Sequence, residues 1–244
     1  MTVTADDRTV DQIVPSTRPF LPSAHGFGFR NSWPAVPVTT ITVGRLRIPI
    51  GSAANGLCGG MVFAALDYFT ARRPIPSGDR PDVGTPLYEF IVARLIDSFD
   101  LPTGPLKYLD YMNPGRRDRD NWFSWLTRVR GRDWLMLKRE WPRLRQRLDQ
   151  GPCPVAWIHA RSADPFELGR NHVVLAHRYV IEGPVAKVYV YNPNVVGPTA
   201  DDQWFSFRID STRALDRVTR SHGGKQILCF FPLDYAAVEP PAEV

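Results

Sequence analysis

Asn55-Gly56-Leu57-Cys58-Gly59-Gly60-Met61-Val62-Phe63-Ala64-Ala65-Leu66-Asp67-Tyr68-Phe69 sets one cysteine among glycines at the mouth of an apolar run. Met61, Val62, Ala65, Leu66 and Phe69 recur at helical spacing, so one helix face is apolar. Cys58 then falls at or just before the first turn of a buried helix, about 58–70. Unpaired N–H groups and the positive end of the helix dipole favour a thiolate there. Gly56, Gly59 and Gly60 permit a tight turn and the close approach of a substrate backbone. A structural cysteine sits more naturally inside an apolar run than at its mouth. A plain buried thiol is the competing reading, because free cysteines are often interior.

The chain around this stretch has 244 residues, 43% hydrophobic and 23% charged, enough for one large domain with its own core. Cys58, Cys153 and Cys229 are odd in number and match no zinc or disulfide spacing. Free thiols in a reducing, cytoplasmic setting follow, with no metal and no cofactor expected. The opening Met-Thr-Val-Thr-Ala-Asp-Asp-Arg lacks the apolar core of a secretory signal, and no run is long enough to predict a membrane span. The net charge of +5 is compatible with acidic partners without requiring them.

Upstream of the cysteine, residues 1–24 read as a polar arm on the surface or a disordered tail, and Val36–Ile50 as one or two short strands. Downstream, Arg72–Pro86 reads as a loop, Leu87–Phe99 as a second helix, and Leu101–Gly115 as a long irregular loop. Residues 116–149 are mostly helical, with Pro142 near the start of the last helix and Gly151 after its end. The pattern then becomes β-rich over Val155–Ala160, His172–Val180, Ala186–Tyr191, Trp204–Ile209 and Gln226–Pro232. Helices first and an antiparallel sheet second is an α+β arrangement. The domain reading is an arm over 1–24, one domain over 25–236 and a C-terminal tail over 237–244. Within the domain, 87–150 is a helical Arg/Trp-rich insert and 153–235 the sheet half.

A thiol nucleophile needs a base, and the base needs an orienting group. His25 and His222 sit in glycine-bearing loops and read as solvated; His159, at a strand end, reads as a satisfied interior histidine. His172 and His177 share a strand, and an odd separation puts them on opposite faces. His172 opens the strand before Val173-Val174-Leu175-Ala176, at an edge where a site can form, and is preferred to His177 as the base. Asn192 ends the next strand before Pro193, where a side-chain carbonyl can accept from an imidazole on the neighbouring strand. The plain alternative is a turn former, with Asn194 in the same role.

Gly56-Leu57-Cys58-Gly59-Gly60-Met61, Asn171-His172-Val173-Val174 and Tyr191-Asn192-Pro193-Asn194, in that order, resemble the papain-like cysteine peptidase superfamily, nearest to its bacterial C39-like branch. The resemblance covers roughly 45–235 and is carried by these three short motifs. It implies a papain-like α+β fold, with the nucleophile helix of an N-terminal helical half packed on a C-terminal antiparallel sheet. It implies Cys58 as nucleophile, His172 as general base and acid, and Asn192 as orienter, with a peptide, amide or thioester as substrate. Two positions depart from the family. Asn192 stands where this branch mostly has aspartate, and Ser52 stands where the family has an oxyanion-hole glutamine. Asn55 or Asn31 is then the candidate oxyanion donor beside the Cys58 N–H, and Gly59 and Gly60 line the substrate.

Arg116–Arg147 holds eleven Arg/Lys against four Asp/Glu and four of the seven tryptophans. One reading is a nucleic-acid platform, with arginine on phosphate and indole on bases. The favoured reading is an amphipathic subdomain with core tryptophans and wet arginines, able to act as a lid on the cysteine site. Three functions therefore stand side by side. The first is a thiol hydrolase or acyl transferase, the second a papain-like binding module without turnover, and the third a nucleic-acid binder.

Overall fold

The computed structural model describes residues 18–33, 37–43, 46–52, 57–101, 103–210 and 218–241. For 37–43, 46–52, 123 and 125 the description is of the backbone alone. The helices are α1 (Pro22–His25), α2 (Cys58–Thr70), α3 (Pro86–Asp97), α4 (Gly104–Met112), α5 (Trp122–Thr127), α6 (Arg132–Leu135) and α7 (Trp141–Leu148). The strands are β1 (Pro37–Val43), β2 (Leu46–Ser52), β3 (Cys153–Ile158), β4 (His172–Glu182), β5 (Val185–Tyr191), β6 (Trp204–Arg208), β7 (Thr219–Arg220) and β8 (Cys229–Pro232). β1 and β2 form a separate hairpin. The other six make one antiparallel sheet in the order β7-β6-β5-β4-β3-β8, so the chain is α+β.

Helix α2 fills the span its apolar spacing predicts, and it is buried nearly throughout. It packs on α3 at glycine distance. A Cβ on Gly60 would overlap the Ile91 carbonyl, and one on Gly59 would overlap the Ser98 hydroxyl. Gly60→Ala is therefore expected to cost about 1–3 kcal/mol, because the overlapped atom is backbone and cannot rotate away. A lower urea midpoint at unchanged slope is the check. The expected loop over Leu101–Gly115 contains α4. Pro105 occupies its first turn, where a missing N–H is harmless, and Tyr108, Tyr111 and Met112 are buried. Between α6 and α7 the chain takes a π turn over Met136–Glu140, next to Pro142, whose absent N–H interrupts the ordinary ladder.

In the sheet, Trp157 of β3 lies opposite both His172 of β4 and Phe230 of β8, so the three share a face. Phe205 packs at 5.5 Å from Trp157 and 5.1 Å from Phe230, and Trp141 of α7 closes on Phe207 at 5.2 Å. Ala156, opposite Val173 and Phe231, marks the other face, where Phe231 meets Tyr108 and Tyr111 of α4 at 5.0 and 5.1 Å. β4 carries a bulge between Ala176 and Arg178, which leaves His177 as the extra residue, inside the strand rather than at its exit.

The arm and the tail are docked where they are described. Phe20 is buried, and Ser23 bonds Asp201 through its N–H (2.8 Å) and its hydroxyl (2.6 Å). At the other end, Val238 N–H donates to Asp67 (3.0 Å) and Arg73 pairs with Glu239 (2.5 Å). The insert divides in two. Leu137, Trp141, Leu144 and Leu148 are core, as their spacing predicts. Trp122, Leu126 and Val129 are exposed instead, Trp122 by 75%. Its arginines are largely engaged. Arg132 is fully buried and donates to the carbonyls of Tyr111, Asn113 and Arg116 and to Asp118, while Arg130 pairs with Asp120.

Candidate active site

The three residues singled out on the sequence converge at one end of the sheet. Cys58 is the first residue of α2, which packs across β4. Backbone N–H groups of Val173, Gly59 and Cys58 itself act on the thiol. Val173 follows His172, so the thiol abuts the start of the strand that carries the histidine. Those N–H groups pull the thiol pKa down, but burial pushes it up further, and the net shift is upward. The thiolate expected at a helix start is thus not the resting form. A dipole end contributes a fraction of a charge, whereas Cys58 is only 8% exposed and would desolvate a whole one.

His172 bonds Asn192 rather than the thiol, with Nε2 2.9 Å from Oδ1. The polarity of this bond is fixed by a third group. The backbone N–H of Asn194 also reaches the same Asn192 atom, at 3.1 Å, and an N–H can only donate. That atom is therefore the oxygen, and His172 donates from Nε2. In the neutral imidazole the lone pair is then on Nδ1. Burial is the main cause that brings the His172 pKa down to about 4; the Asn192 bond opposes it, and His159 and Arg220 add to it. The shifts leave both the thiol and the imidazole neutral at rest.

Two neighbours steady the histidine. Trp157, its cross-strand partner, lies 5.8 Å away between ring centroids. Asn171 is buried, and its Oδ1 accepts the N–H groups of His159 (3.0 Å) and Ala160 (3.2 Å) while its amide donates to Leu168 (3.1 Å). It thereby pins the loop that delivers His172 to the end of β3. The sequence shows Asn171 only as the residue before the histidine, and no local pattern marks it as a brace.

The remaining expected site residues fare differently. Asn55 lies outside the described residues. Ser52 is the last residue of β2, and its side chain is likewise outside the description. Gly59 and Gly60 do not line a substrate path; they face α3, and their missing side chains serve helix packing. Asn31, the other oxyanion candidate, is engaged elsewhere, with Oδ1 accepting the Leu57 N–H at 2.6 Å and the amide donating to Asn194 at 3.2 Å.

His159 is half-buried rather than interior, with Nδ1 2.7 Å from the Gln226 carbonyl. His25 is half-buried, not a solvated loop residue; its Nδ1 accepts the Leu21 N–H and its ring packs on Phe20 and Phe69. His177, the bulge residue, is buried against Phe20. Two cavities among the described residues, each of about 490 Å³, lie beside Phe69 and beside Arg94, and neither is lined by Cys58, His172 or Asn192. Among the described residues no cluster of three His, Cys, Asp or Glu side chains could hold a metal, and no helix is long and apolar enough to cross a membrane. Comparison of the chain with protein-family models, with curated proteins and with solved structures gives no match.

Proposed function

We propose that the protein is a papain-like thiol hydrolase, acting on a peptide, amide or thioester carbonyl through Cys58, His172 and Asn192. The observation that carries the reading is the donor–acceptor polarity around Asn192. It orients the imidazole with Nε2–H on the amide oxygen and leaves Nδ1 as the ring nitrogen able to take a proton. In the reaction the Cys58 side chain turns from the Val173 N–H toward Nδ1. The thiol proton passes to Nδ1 as the sulfur attacks the carbonyl carbon. The imidazolium then returns that proton to the leaving amine or thiol, and an acyl-enzyme remains. Water, or an amine in a transferase, attacks it with His172 again as base. The Cys58 N–H, in the first turn of α2, is the donor assigned to the oxyanion.

Because the resting pair is neutral, proton transfer accompanies attack and does not precede it. At pH 7 iodoacetamide is expected to modify Cys58 with the help of His172. Changing His172→Gln, which keeps bulk but not basicity, is expected to slow labelling of Cys58 by about 10- to 100-fold. Labelling of buried Cys153 and Cys229 stays unchanged. Peptide mass spectrometry of all three cysteines reads this out, and equal Cys58 rates in the two proteins would defeat the hydrolase reading. The depth of the thiol supports a second reading, a papain-like scaffold that binds without turnover, and that result would leave it standing.

A further inference from the structure

We infer that Asn31 is a positioning residue for this site, by which the N-terminal segment 18–33 holds the nucleophile and the imidazole in register. The inference rests on the hydrolase reading of Cys58, His172 and Asn192. Leu57, at the cap position of α2, offers no side-chain acceptor of its own to the helix start. Its N–H is taken instead by Asn31 Oδ1, 26 residues upstream, at 2.6 Å. That bond fixes the amide orientation of Asn31, since the backbone N–H can only donate. The Nδ2 group must then face Asn194, whose Oδ1 accepts it at 3.2 Å. The Asn31 N–H donates to the Pro193 carbonyl at 2.9 Å, so Asn31 grips the Asn192-Pro193-Asn194 turn twice. Asn194 in turn donates its N–H to Asn192 Oδ1, the atom that holds His172. A single run of hydrogen bonds of forced polarity thus joins the residue before the thiol to the nitrogen that fixes the histidine tautomer.

The segment that carries Asn31 is itself held on both sides. Phe27 N–H donates to the Tyr191 hydroxyl at 3.2 Å, and a Cβ on Gly26 would collide with the Tyr191 ring. Trp33 Nε1 donates to the Pro81 carbonyl at 3.2 Å. Both halves of the site therefore meet on one short, anchored stretch that belongs to neither α2 nor the sheet. Without it, the start of α2 and the turn after β5 lose their shared reference. A shift of about 1 Å between a reacting group and its base costs up to about 100-fold in rate.

The test is iodoacetamide labelling of the full chain at pH 7, followed at each cysteine. Asn31→Ala, and independently Asn194→Ala at an exposed position, are expected to slow Cys58 by about tenfold with Cys153 and Cys229 unchanged. In either background a further His172→Gln change is expected to cost less than about threefold, because the base is already out of register. Asn31→Asp keeps an acceptor for Leu57 and accepts from a reversed Asn194 amide, so it is expected to stay within about threefold of the unchanged chain. The inference is overturned if Asn31→Ala and Asn194→Ala leave Cys58 labelling unchanged. It is also overturned if they raise labelling of all three cysteines together, or if Asn31→Asp is as slow as Asn31→Ala. A His172→Gln change that does nothing in the otherwise unchanged chain would instead bring down the hydrolase reading itself.

Discussion

Asp67→Ala is expected to lower the stability of the protein by about 3–5 kcal/mol, a large part of the roughly 5–15 kcal/mol a domain possesses. Asp67 sits in α2 between Leu66 and Tyr68, and it is almost wholly buried. Its Oδ2 pairs with Arg94 Nε of α3 at 2.7 Å, and its Oδ1 accepts from Arg94 Nη2 (3.2 Å), the Tyr235 hydroxyl (2.7 Å) and the Val238 N–H (3.0 Å). Burial pushes the Asp67 carboxyl up, and the donors from Val238, Tyr235 and Arg94 pull it back. Arg94 also donates to the Ala236 carbonyl at 2.8 Å and stands over the rings of Phe63 and Tyr235. Removing the carboxylate strands this guanidinium, buried to 2% exposure, with Asp97 as its remaining charged partner among the described residues. It also removes the Tyr235 and Val238 bonds that tie the C-terminal segment to α2. The expected cost comes mostly from the stranded charge rather than from the lost attraction, and this has its own consequence. Asp67→Leu combined with Arg94→Met is expected to recover most of the loss, because no uncompensated charge remains. Urea unfolding of the two single variants and the double variant gives the coupling. A single Asp67→Ala cost below about 1 kcal/mol would show that the pair is solvated and the burial argument wrong.

The same segment shows what the sequence displays and what it hides. The apolar spacing after Cys58 names a helix and its length, because helix period is a local property. It does not name the partner of a carboxylate inside that helix, which lies 27 residues on in α3 and beyond 230 in the C-terminal stretch. The glycines at 59 and 60 are legible as positions where no side chain fits, but the obstacle is α3 rather than a substrate, and only the packed pair shows it. Helix α4 was hidden by Gly104 and Pro105, which punctuate a loop and cap a helix equally well. Trp122, Leu126 and Val129 show why an apolar stripe does not prove a core. Their spacing is the same whether the face meets protein or solvent, and here it meets solvent. The order Cys58, His172, Asn192 was legible because each stands at an element boundary. The resting charge was not, since the dipole argument is local while desolvation is tertiary.

That charge state makes the acid branch of the stability curve a test of the site. In the unfolded chain His172 and His177 bind protons near 6.5. In the folded protein burial brings His172 down to about 4 and His177 down to about 3. Arg178 adds to the shift of His177, and Asp201 opposes it. Between about pH 4 and 6.5 these two sites therefore hold more protons in the unfolded chain than in the native one, and each contributes stability that rises with pH across that window. The contribution is fully present above 6.5 and is lost as pH falls, on the order of 3 kcal/mol for each histidine at about 1.4 kcal/mol per pH unit. Burial also lowers His25 and His159, which adds to the rise, and pushes the carboxyls of Asp67 and Asp133 up, Asp133 to about 7, which opposes it. His177→Phe is expected to remove its own share of the slope between about pH 4.5 and 6.5. It also removes a buried Nε2 that has no hydrogen-bond partner among the described residues, so it is expected to cost little at pH 7. The His172 share is the difference that a further His172→Gln change makes, and its sign decides between two resting states. A neutral thiol–imidazole pair gives stability that rises with pH through this window. A thiolate–imidazolium pair would hold His172 protonated well above 6.5, and His172 would then give no such rise; its stabilising effect would instead fade at higher pH as the imidazolium lost its proton. Urea midpoints of the His177→Phe protein with and without His172→Gln, taken about every half unit from roughly pH 4.5 to 8, separate the two. A His172 difference that rises up to about 6.5 and then stays level is expected, and one flat below about 6.5 that falls above it would replace concerted proton transfer with a standing ion pair at Cys58.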